Sequence, residues 1–234
     1  DGILIQNFSD DAGTIIDGST IEKTVDKGIW IADASPTISN NDIVDNLGYG
    51  IFVEGNGSNP QIMNNNFSRN LSAIYIDHST SNFLVAGNTF TSNQYPLTMF
   101  PYNLDGNVYG NTYSDNFILP DSTSSDFIWV LGANGDEAHV RNGTYNWLAD
   151  GAPYRIATRL IYFGGGDANT STIKLHPGTQ LYFEEDKWLK IGRNATEWGS
   201  IEADSVLFTA VGGTWDGIYM TNYSRDESSY IDGS

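Results

Sequence analysis

A short internal repeat limits what this 234-residue chain can fold into more than any other feature of its sequence. Segments with one residue pattern follow each other after 22, 24, 23 and 23 residues, and each holds apolar residues at alternate positions. Short strands joined by tight turns satisfy such a pattern, and one coil of a parallel β-helix has this length. We therefore predict an all-β fold, a right-handed parallel β-helix with coils of about 22–24 residues. The segments begin at Ile16, Ile38, Ile62, Val85 and Val108.

Two columns of this repeat are filled by asparagine. Coils of a β-helix lie about 4.8 Å apart, so equivalent residues stack along the axis. We expect the stacked amides to hydrogen-bond from coil to coil as ladders; the alternative is that asparagine only marks surface turns. The first column holds Asn41, Asn65, Asn88 and Asn111, and the second holds Asn46, Asn70, Asn93 and Asn116.

The composition narrows the classes of partner. A net charge of −18 repels nucleic acid and anionic membranes, so we expect neither as a partner. No apolar run approaches the roughly 18 residues that a membrane span needs. The chain has no cysteine, which excludes disulfides and thiol catalysis.

The repeat divides the sequence into three parts. Residues 1–118 hold the asparagine-rich coils, and residues 139–234 continue with less regular strand pairs separated by glycine, proline and asparagine turns. Residues 119–138 between them are polar, and we expect a loop or a break in the coil.

A second, longer repeat links the two ends of the sequence. Residues 216–234 align without gaps on residues 1–19, and ten of the 19 positions are identical. The simplest interpretation is that residue 216 begins the next copy of a 215-residue unit in a tandem array. The alternative is a single finite β-helix whose ends share one coil motif.

Catalytic and metal-binding patterns are absent from the sequence. With 29 Asp and Glu residues, a chance carboxylate pair carries no information about glycoside chemistry. The adjacent pair Asp10-Asp11 lacks the Gly-His-Gly and Arg-x-Lys motifs that would accompany a catalytic aspartate pair in a glycosidase of this fold. We expect His78, His139 and His176 in turns or on the surface. We predict no catalytic residue, no metal-ligand residue and no cofactor. Ca²⁺ held by Asp/Asn-rich turns is the one open exception, with plain solvation of the acidic surface as the alternative.

Eight Asn-x-Ser/Thr sequons occur, about twice the number expected by chance, and they suggest covalent N-glycans on an exported protein. One of them begins at Asn70 in a ladder column, where we expect it to be inaccessible. The remaining candidates are Asn7, Asn56, Asn66, Asn142, Asn169, Asn194 and Asn222.

The second half resembles a known family. The runs LHPGTQLYF, LKIG, SIEA, VLFTA and GTWDGIYM, with VRNGTYNW and PYRI upstream, are similar to right-handed β-helix repeat proteins of archaeal and bacterial surfaces. The asparagine-rich coils resemble the parallel β-helix repeats of disaggregatase-related archaeal surface proteins and of periplasmic copper-protein maturation factors. The resemblance spans about 139–234 and 1–118. It implies the fold and an extracellular or cell-surface location, in a family that covers adhesins, sheath components and some carbohydrate enzymes.

These observations favour a non-enzymatic structural repeat unit of an extracellular fibre, sheath or adhesin. Its expected partner is itself, through end-to-end stacking or tandem repeats that form a filament. The alternative is a carbohydrate-binding or carbohydrate-cleaving β-helix with aromatic side chains along a sugar groove. The candidates for that groove are Tyr95, Tyr102, Trp147, Trp188 and Trp198.

Overall fold

The regular structure of this protein is almost entirely β-strand. A computed structural model describes residues 1–6, 13–77, 83–118, 123–132, 136–165 and 170–233. Among these residues there is no α-helix, and two single-turn 3-10 helices occur at Pro101–Asn103 and Asp226–Ser228. The chain divides into two compact units. Unit one holds Asp1–Met99, Asn107–Ile128 and Asp150–Ala152; unit two holds Phe100–Gly106, Trp129–Ala149 and Pro153–Ser234.

Unit one repeats three short strands in each coil, and equivalent strands recur with the predicted period near 23. Its strands are β1 (Ile3–Gln6), β2 (Ile15–Asp17), β3 (Thr20–Glu22), β4 (Lys27–Ala32), β5 (Thr37–Ser39), β6 (Asp42–Val44), β7 (Tyr49–Glu54), β8 (Gln61–Met63), β9 (Asn66–Ser68), β10 (Ser72–Ile76), β11 (Leu84–Ala86), β12 (Thr89–Thr91), β13 (Tyr95–Met99), β14 (Val108–Tyr109), β15 (Thr112–Ser114), β16 (Phe117–Ile118) and β17 (Thr123–Ser124).

These strands form three parallel sheets that run along the axis of the coil. The sheet orders are β1-β4-β7-β10-β13, β2-β5-β8-β11-β14 and β3-β6-β9-β12-β15. The register advances one coil per strand, so that Ile29 pairs with Ile51, and Ile51 with Ile74. Strands β16 and β17 pair antiparallel as a hairpin.

The core of unit one consists of apolar columns. The first residues of the repeat, Ile38, Ile62 and Val85, are fully buried. Beside them, the rings of Phe67 and Phe90 stack at 5.2 Å, and the ring of Tyr113 stacks on Phe90 at 5.0 Å. Stacking equivalent residues at the coil spacing is what makes aromatic and β-branched side chains suitable here.

Unit two is built in the same way from longer strands, after β18 (Ile128–Val130), which crosses the boundary between the units. Its parallel orders are β19-β22-β26-β29, β20-β24-β27-β30 and β21-β25-β28, and β23 pairs antiparallel with β27. The strands are β19 (Glu137–Val140), β20 (Gly143–Trp147), β21 (Tyr154–Ile156), β22 (Arg159–Tyr162), β23 (Gly164–Gly165), β24 (Ser171–Leu175), β25 (Gln180–Phe183), β26 (Trp188–Ile191), β27 (Glu197–Asp204), β28 (Leu207–Ala210), β29 (Gly217–Met220) and β30 (Tyr230–Asp232).

The described residues of the segment 119–138, which are 123–132 and 136–138, include strand residues. The segment contains β17 and the three buried residues of β18, Ile128–Val130. The sequence obscured β18 because the apolar run 127–131 that contains it is short and lies between the polar stretches 119–126 and 132–137. The two units do not follow the order of the chain strictly. Residues 100–106 belong to unit two, and residues 150–152 belong to unit one.

Candidate functional site

The first asparagine column forms a continuous ladder inside unit one. Asn65 Oδ1 accepts from the backbone N–H of Asn41 at 3.0 Å and from Asn41 Nδ2 at 2.9 Å. Asn65 Nδ2 donates to the carbonyl oxygen of Ile38 at 2.9 Å and to Asn88 Oδ1 at 3.1 Å. The same pattern continues to Asn111, and all of these side chains are buried.

The second column repeats this arrangement at the next corner of the coil. Asn70 Oδ1 accepts from Asn46 Nδ2 at 2.8 Å, and Asn93 Oδ1 accepts from Asn70 Nδ2 at 3.0 Å. The amides of each column donate to and accept from their neighbours in the column, so these ladders hold the coil together.

A residue with a positive φ precedes each ladder asparagine. The left-handed conformation turns the chain by the sharp angle that points the next side chain into the coil. Small polar residues and glycine tolerate this conformation best, which explains why the corners are rich in them. The residues before the first column are Asn40, Asn64, Gly87 and Gly110, and those before the second are Asp45, Arg69, Ser92 and Asp115.

An aspartate ends each ladder, and the sequence pattern did not predict this. Asp150 accepts from Asn111 N at 3.0 Å, from Asn111 Nδ2 at 2.8 Å and from the Tyr113 hydroxyl at 3.0 Å. Asp126 Oδ1 accepts from Asn116 N at 3.0 Å and from Asn116 Nδ2 at 2.8 Å. A carboxylate only accepts, so it satisfies the last donors of the ladder without offering new ones.

Asp150 is a buried carboxyl group with an altered pKa. Burial raises the pKa of Asp150, while the hydrogen bonds from Asn111 and Tyr113 act in the opposite direction. The group is enclosed by its ladder partners, so its role is structural.

Aromatic rings form a patch on the outer face of unit one, which we call the aromatic face: Trp30, Tyr49, Phe52 and Tyr75. Trp30, Phe52 and Tyr75 are paired in register on neighbouring strands, and the last two rings stack at 5.2 Å. Lys27 Nζ lies 4.8 Å from the Trp30 ring, and Trp30 Nε1 donates to Glu54 Oε1 at 2.8 Å. Half-buried rings with polar groups at their edge suit the apolar faces of sugars.

The aromatic residues considered for a sugar groove are divided between the two units, and the four in unit two contact separate aromatic partners. Trp147 is fully buried against Tyr154, so its inclusion was wrong: the residue faces the core of unit two. Trp188 and Trp198 are half-buried, and each meets a different tyrosine edge-on, Tyr219 and Tyr223. Tyr102 stacks on Phe100, and Tyr95 belongs to β13 in unit one.

The first and last strands expose apolar side chains. Leu4 and Ile15 in β1 and β2 are 49% and 66% exposed, and Tyr219 and Ile231 in β29 and β30 are 49% and 52% exposed. Within the described residues, β1 pairs only with β4 and β29 only with β26. Strand β30 lies 215 residues after β2, at equivalent bounds.

No cluster of three or more His, Asp or Glu side chains that could hold a metal occurs in the described part of the chain. His139 lies 3.4 Å from Glu137, and His176 lies 3.3 Å from Asn146 Oδ1. His78, Asp10 and Asp11 lie outside the described residues. No helix among the described residues is long and apolar enough to cross a membrane.

The sequons differ in how much of each is exposed. Asn142 and Asn194 are exposed together with the threonine two residues later. Asn56, Asn66 and Asn222 are exposed, but the serine of each of these three sequons is buried. Asn70 is buried in its ladder, and Asn7 and Asn169 lie outside the described residues.

The fold and its interior ladders define a parallel β-helix protein. The family model described as "Right handed beta helix region" matches residues 1–145, more than half of the chain. The chain therefore belongs to the right-handed β-helix family, and the predicted fold class is confirmed. No curated protein and no solved structure matches the chain.

Proposed function

We propose that this chain is a non-enzymatic structural repeat unit of an extracellular or cell-surface fibre, sheath or adhesin. The observation that carries the proposal is the 215-residue repeat between residues 1–19 and 216–234, whose strands β2 and β30 occupy equivalent positions. A repeat that begins again within a solenoid favours an array of units, each stacked on its neighbour.

The exposed ends give a physical reason for assembly. A terminal strand of a β-helix presents unpaired backbone groups, and here it also presents apolar side chains such as Ile15 and Ile231. Another copy of the unit would cover both, through tandem repeats or end-to-end stacking.

Electron microscopy of the native material tests this proposal. Nine or so coils would give an axial repeat on the order of 40 Å. Filaments with that repeat would support a structural role. A mature product of one repeat that stays monomeric at every concentration would overturn it.

An extracellular location and N-glycans belong to the same proposal. Among the described candidates, Asn142 and Asn194 are favoured because both the asparagine and its threonine are exposed. Intact-peptide mass spectrometry of the native protein would show glycan masses on these peptides, and finding both bare would reject them as acceptors.

Calcium also stays a prediction. Hard cations prefer several oxygen ligands, and the turns are rich in Asp and Asn. If Ca²⁺ binds, EDTA will lower the unfolding midpoint and added Ca²⁺ will restore it; an unchanged midpoint favours simple solvation of the acidic surface.

Carbohydrate binding is a second candidate function, which the aromatic face favours. Its stacked rings of Phe52 and Tyr75 present a flat surface beside polar groups. A glycan array tests for binding, and a reducing-sugar assay tests for cleavage. Trp30→Ala should abolish binding, whereas Trp215→Ala, which changes a half-buried tryptophan in unit two, should leave it unchanged.

A further inference from the structure

We infer that residues 216–234 are the first coil of a second copy of this unit, whose residues 27–41 pack on β29 and β30 in one defined register. The inference rests on the proposed function and names the surface through which the copies meet. By the register of the first copy, Ile218 pairs with Ile29 of the next copy, and Ile231 pairs with Ile38.

The identical positions of the two ends carry the argument. Ten positions are identical, and Asn7, Ser9 and Asp11 among them lie outside the described residues. Each of the other seven contacts or pairs with residues 27–41 in the first copy. They are Asp1, Gly2, Ile3, Ile16, Asp17, Gly18 and Ser19.

The charged and polar contacts are specific. Asp1 Oδ1 lies 3.8 Å from Lys27 Nζ. Asp17 Oδ1 accepts from Ser39 Oγ at 2.7 Å and from Asn40 Nδ2 at 2.8 Å. Asp216 and Asp232 stand at the equivalent positions, so the same partners in a second copy would satisfy them.

Backbone bonds fix the same register. Gly2 N donates to the carbonyl oxygen of Lys27 at 2.8 Å, and Gly18 N donates to that of Ser39 at 3.2 Å. Ser19 N donates to Asn41 Oδ1 at 2.9 Å, at the beginning of the first ladder. Residues 217, 233 and 234 keep these identities, Gly, Gly and Ser.

The space beside Gly217 matches a missing coil. A Cβ added at Gly2 would lie 2.6 Å from the carbonyl oxygen of Gly28, because the next coil approaches closely there. At Gly217 no described atom lies within 4 Å of such a Cβ, although its φ of +97° also favours glycine. The backbone of a second copy's Gly28 would occupy this space.

Three of the nine positions that differ keep an apolar surface. Leu4, Ile5 and Ile15 are replaced by Tyr219, Met220 and Tyr230, and all three replacements are about half exposed. In the inferred register Met220 covers Ile31 of the next copy, as Ile5 does in the first. Burial of this surface would stabilise the junction.

A two-repeat chain tests the register. Residues 1–234 would be followed directly by residues 20–234 of a second copy. Asp232→Cys would be placed in the first segment, 1–234, and Ser39→Cys in the second copy. Neighbouring parallel strands bring paired Cα atoms within disulfide range, and the protein has no other cysteine. We expect loss of free thiol on mild oxidation and a shift in the mobility of the unreduced chain.

Two matched variants control the experiment. Asp17→Cys with Ser39→Cys in the 234-residue chain should form the same bond, since the structure pairs these residues directly. Asp232→Cys with Thr37→Cys in the second copy is two residues out of register and should keep its free thiols.

The outcomes separate this inference from the proposed function. Free thiols in the Ser39 variant, or a bond in the Thr37 variant, would overturn the register even if native filaments exist. A bond at Ser39 without any native filament would leave the register standing and remove the fibre role. A two-repeat chain that unfolds at a lower denaturant midpoint than the single unit would also overturn the inference.

Discussion

The ladder asparagines differ from ordinary turn residues because each amide satisfies backbone groups as well as its neighbours in the column. Asn65 accepts two hydrogen bonds from Asn41 and donates to Ile38, Met63 and Asn88. Asn66, the next residue, points outwards and donates to Asp42 on the surface. Asn65 therefore belongs to a buried network, whereas Asn66 makes an exposed contact.

Replacing Asn65 should be costly, and replacing Asn66 should not. Asn65→Ala leaves the buried N–H of Asn41 without its acceptor, which we expect to lower the free energy of unfolding by about 2–3 kcal/mol. Asn66→Ala should change it by less than about 0.5 kcal/mol. Urea denaturation of the two variants measures both values, and equal losses would contradict a buried ladder.

Asp150 makes stability depend on pH. Its raised pKa means that the folded state binds a proton more readily than the unfolded state, so stability falls as pH rises from about 3.9 through the folded pKa. The hydrogen bond from Arg69 lowers the pKa of Asp45. The contribution of Asp45 to stability is therefore present above about pH 3.9 and is lost as the pH falls through its folded pKa.

Asp150→Asn should remove the fall in stability above about pH 3.9, because the amide does not titrate. Urea midpoints measured at several pH values between about 4 and 7 would show a flatter profile for the variant. An unchanged slope would mean that another group causes the dependence.

At the scale of elements, the strands of neighbouring coils approach so closely that some positions admit no side chain. Gly28 and Gly50 lie in the same sheet of unit one, and a Cβ on Gly50 would lie 2.6 Å from the carbonyl oxygen of Ala73. At Gly13, by contrast, no described atom lies within 4 Å of the place that a Cβ would take. Glycine is needed at position 50 because of packing between coils.

Gly50→Ala should therefore destabilise the protein by about 1–3 kcal/mol, as overpacking does. Gly13→Ala is the matched control, and we expect its effect to stay within about 0.5 kcal/mol. Chemical denaturation compares the two variants. If Gly50→Ala were as stable as Gly13→Ala, the close approach of β7 and β10 would be wrong.

At the scale of the whole molecule, charge and apolar ends act against each other. The net charge of −18 makes copies repel, while exposed residues such as Ile231 favour contact. Raising the ionic strength from about 0.15 M to 1 M shortens the Debye length from about 8 Å to about 3 Å. Screening weakens the repulsion and leaves the apolar attraction.

Self-association should therefore increase with NaCl concentration. Sedimentation velocity would show larger species at about 1 M than at about 0.15 M salt. Ile231→Lys should reduce this increase, whereas Leu47→Lys, which changes an exposed leucine away from the end strands, should not. Dissociation on adding salt, or equal effects of the two variants, would exclude association through the apolar end.

The sequence alone predicted the coil and its columns. A β-helix stacks equivalent residues on one another, so residues of similar type recur in the sequence at the length of one coil. The stacked column of Ile38, Ile62 and Val85 followed from that period. The comparison of the sequence with itself also aligned residues 216–234 with residues 1–19. These features are local or periodic, and a linear pattern is sufficient to find them.

Only the tertiary structure decided which residues end the ladders and which aromatic rings share a surface. Asp150 lies 39 residues from Asn111 and has no place in the repeat, yet it receives the last ladder bonds. Trp147 was a candidate for an exposed groove and is buried, while Trp30, Phe52 and Tyr75 align outside. Alternation along a strand does not state which face is the interior; that depends on how the coil closes, and closure is a property of the folded chain.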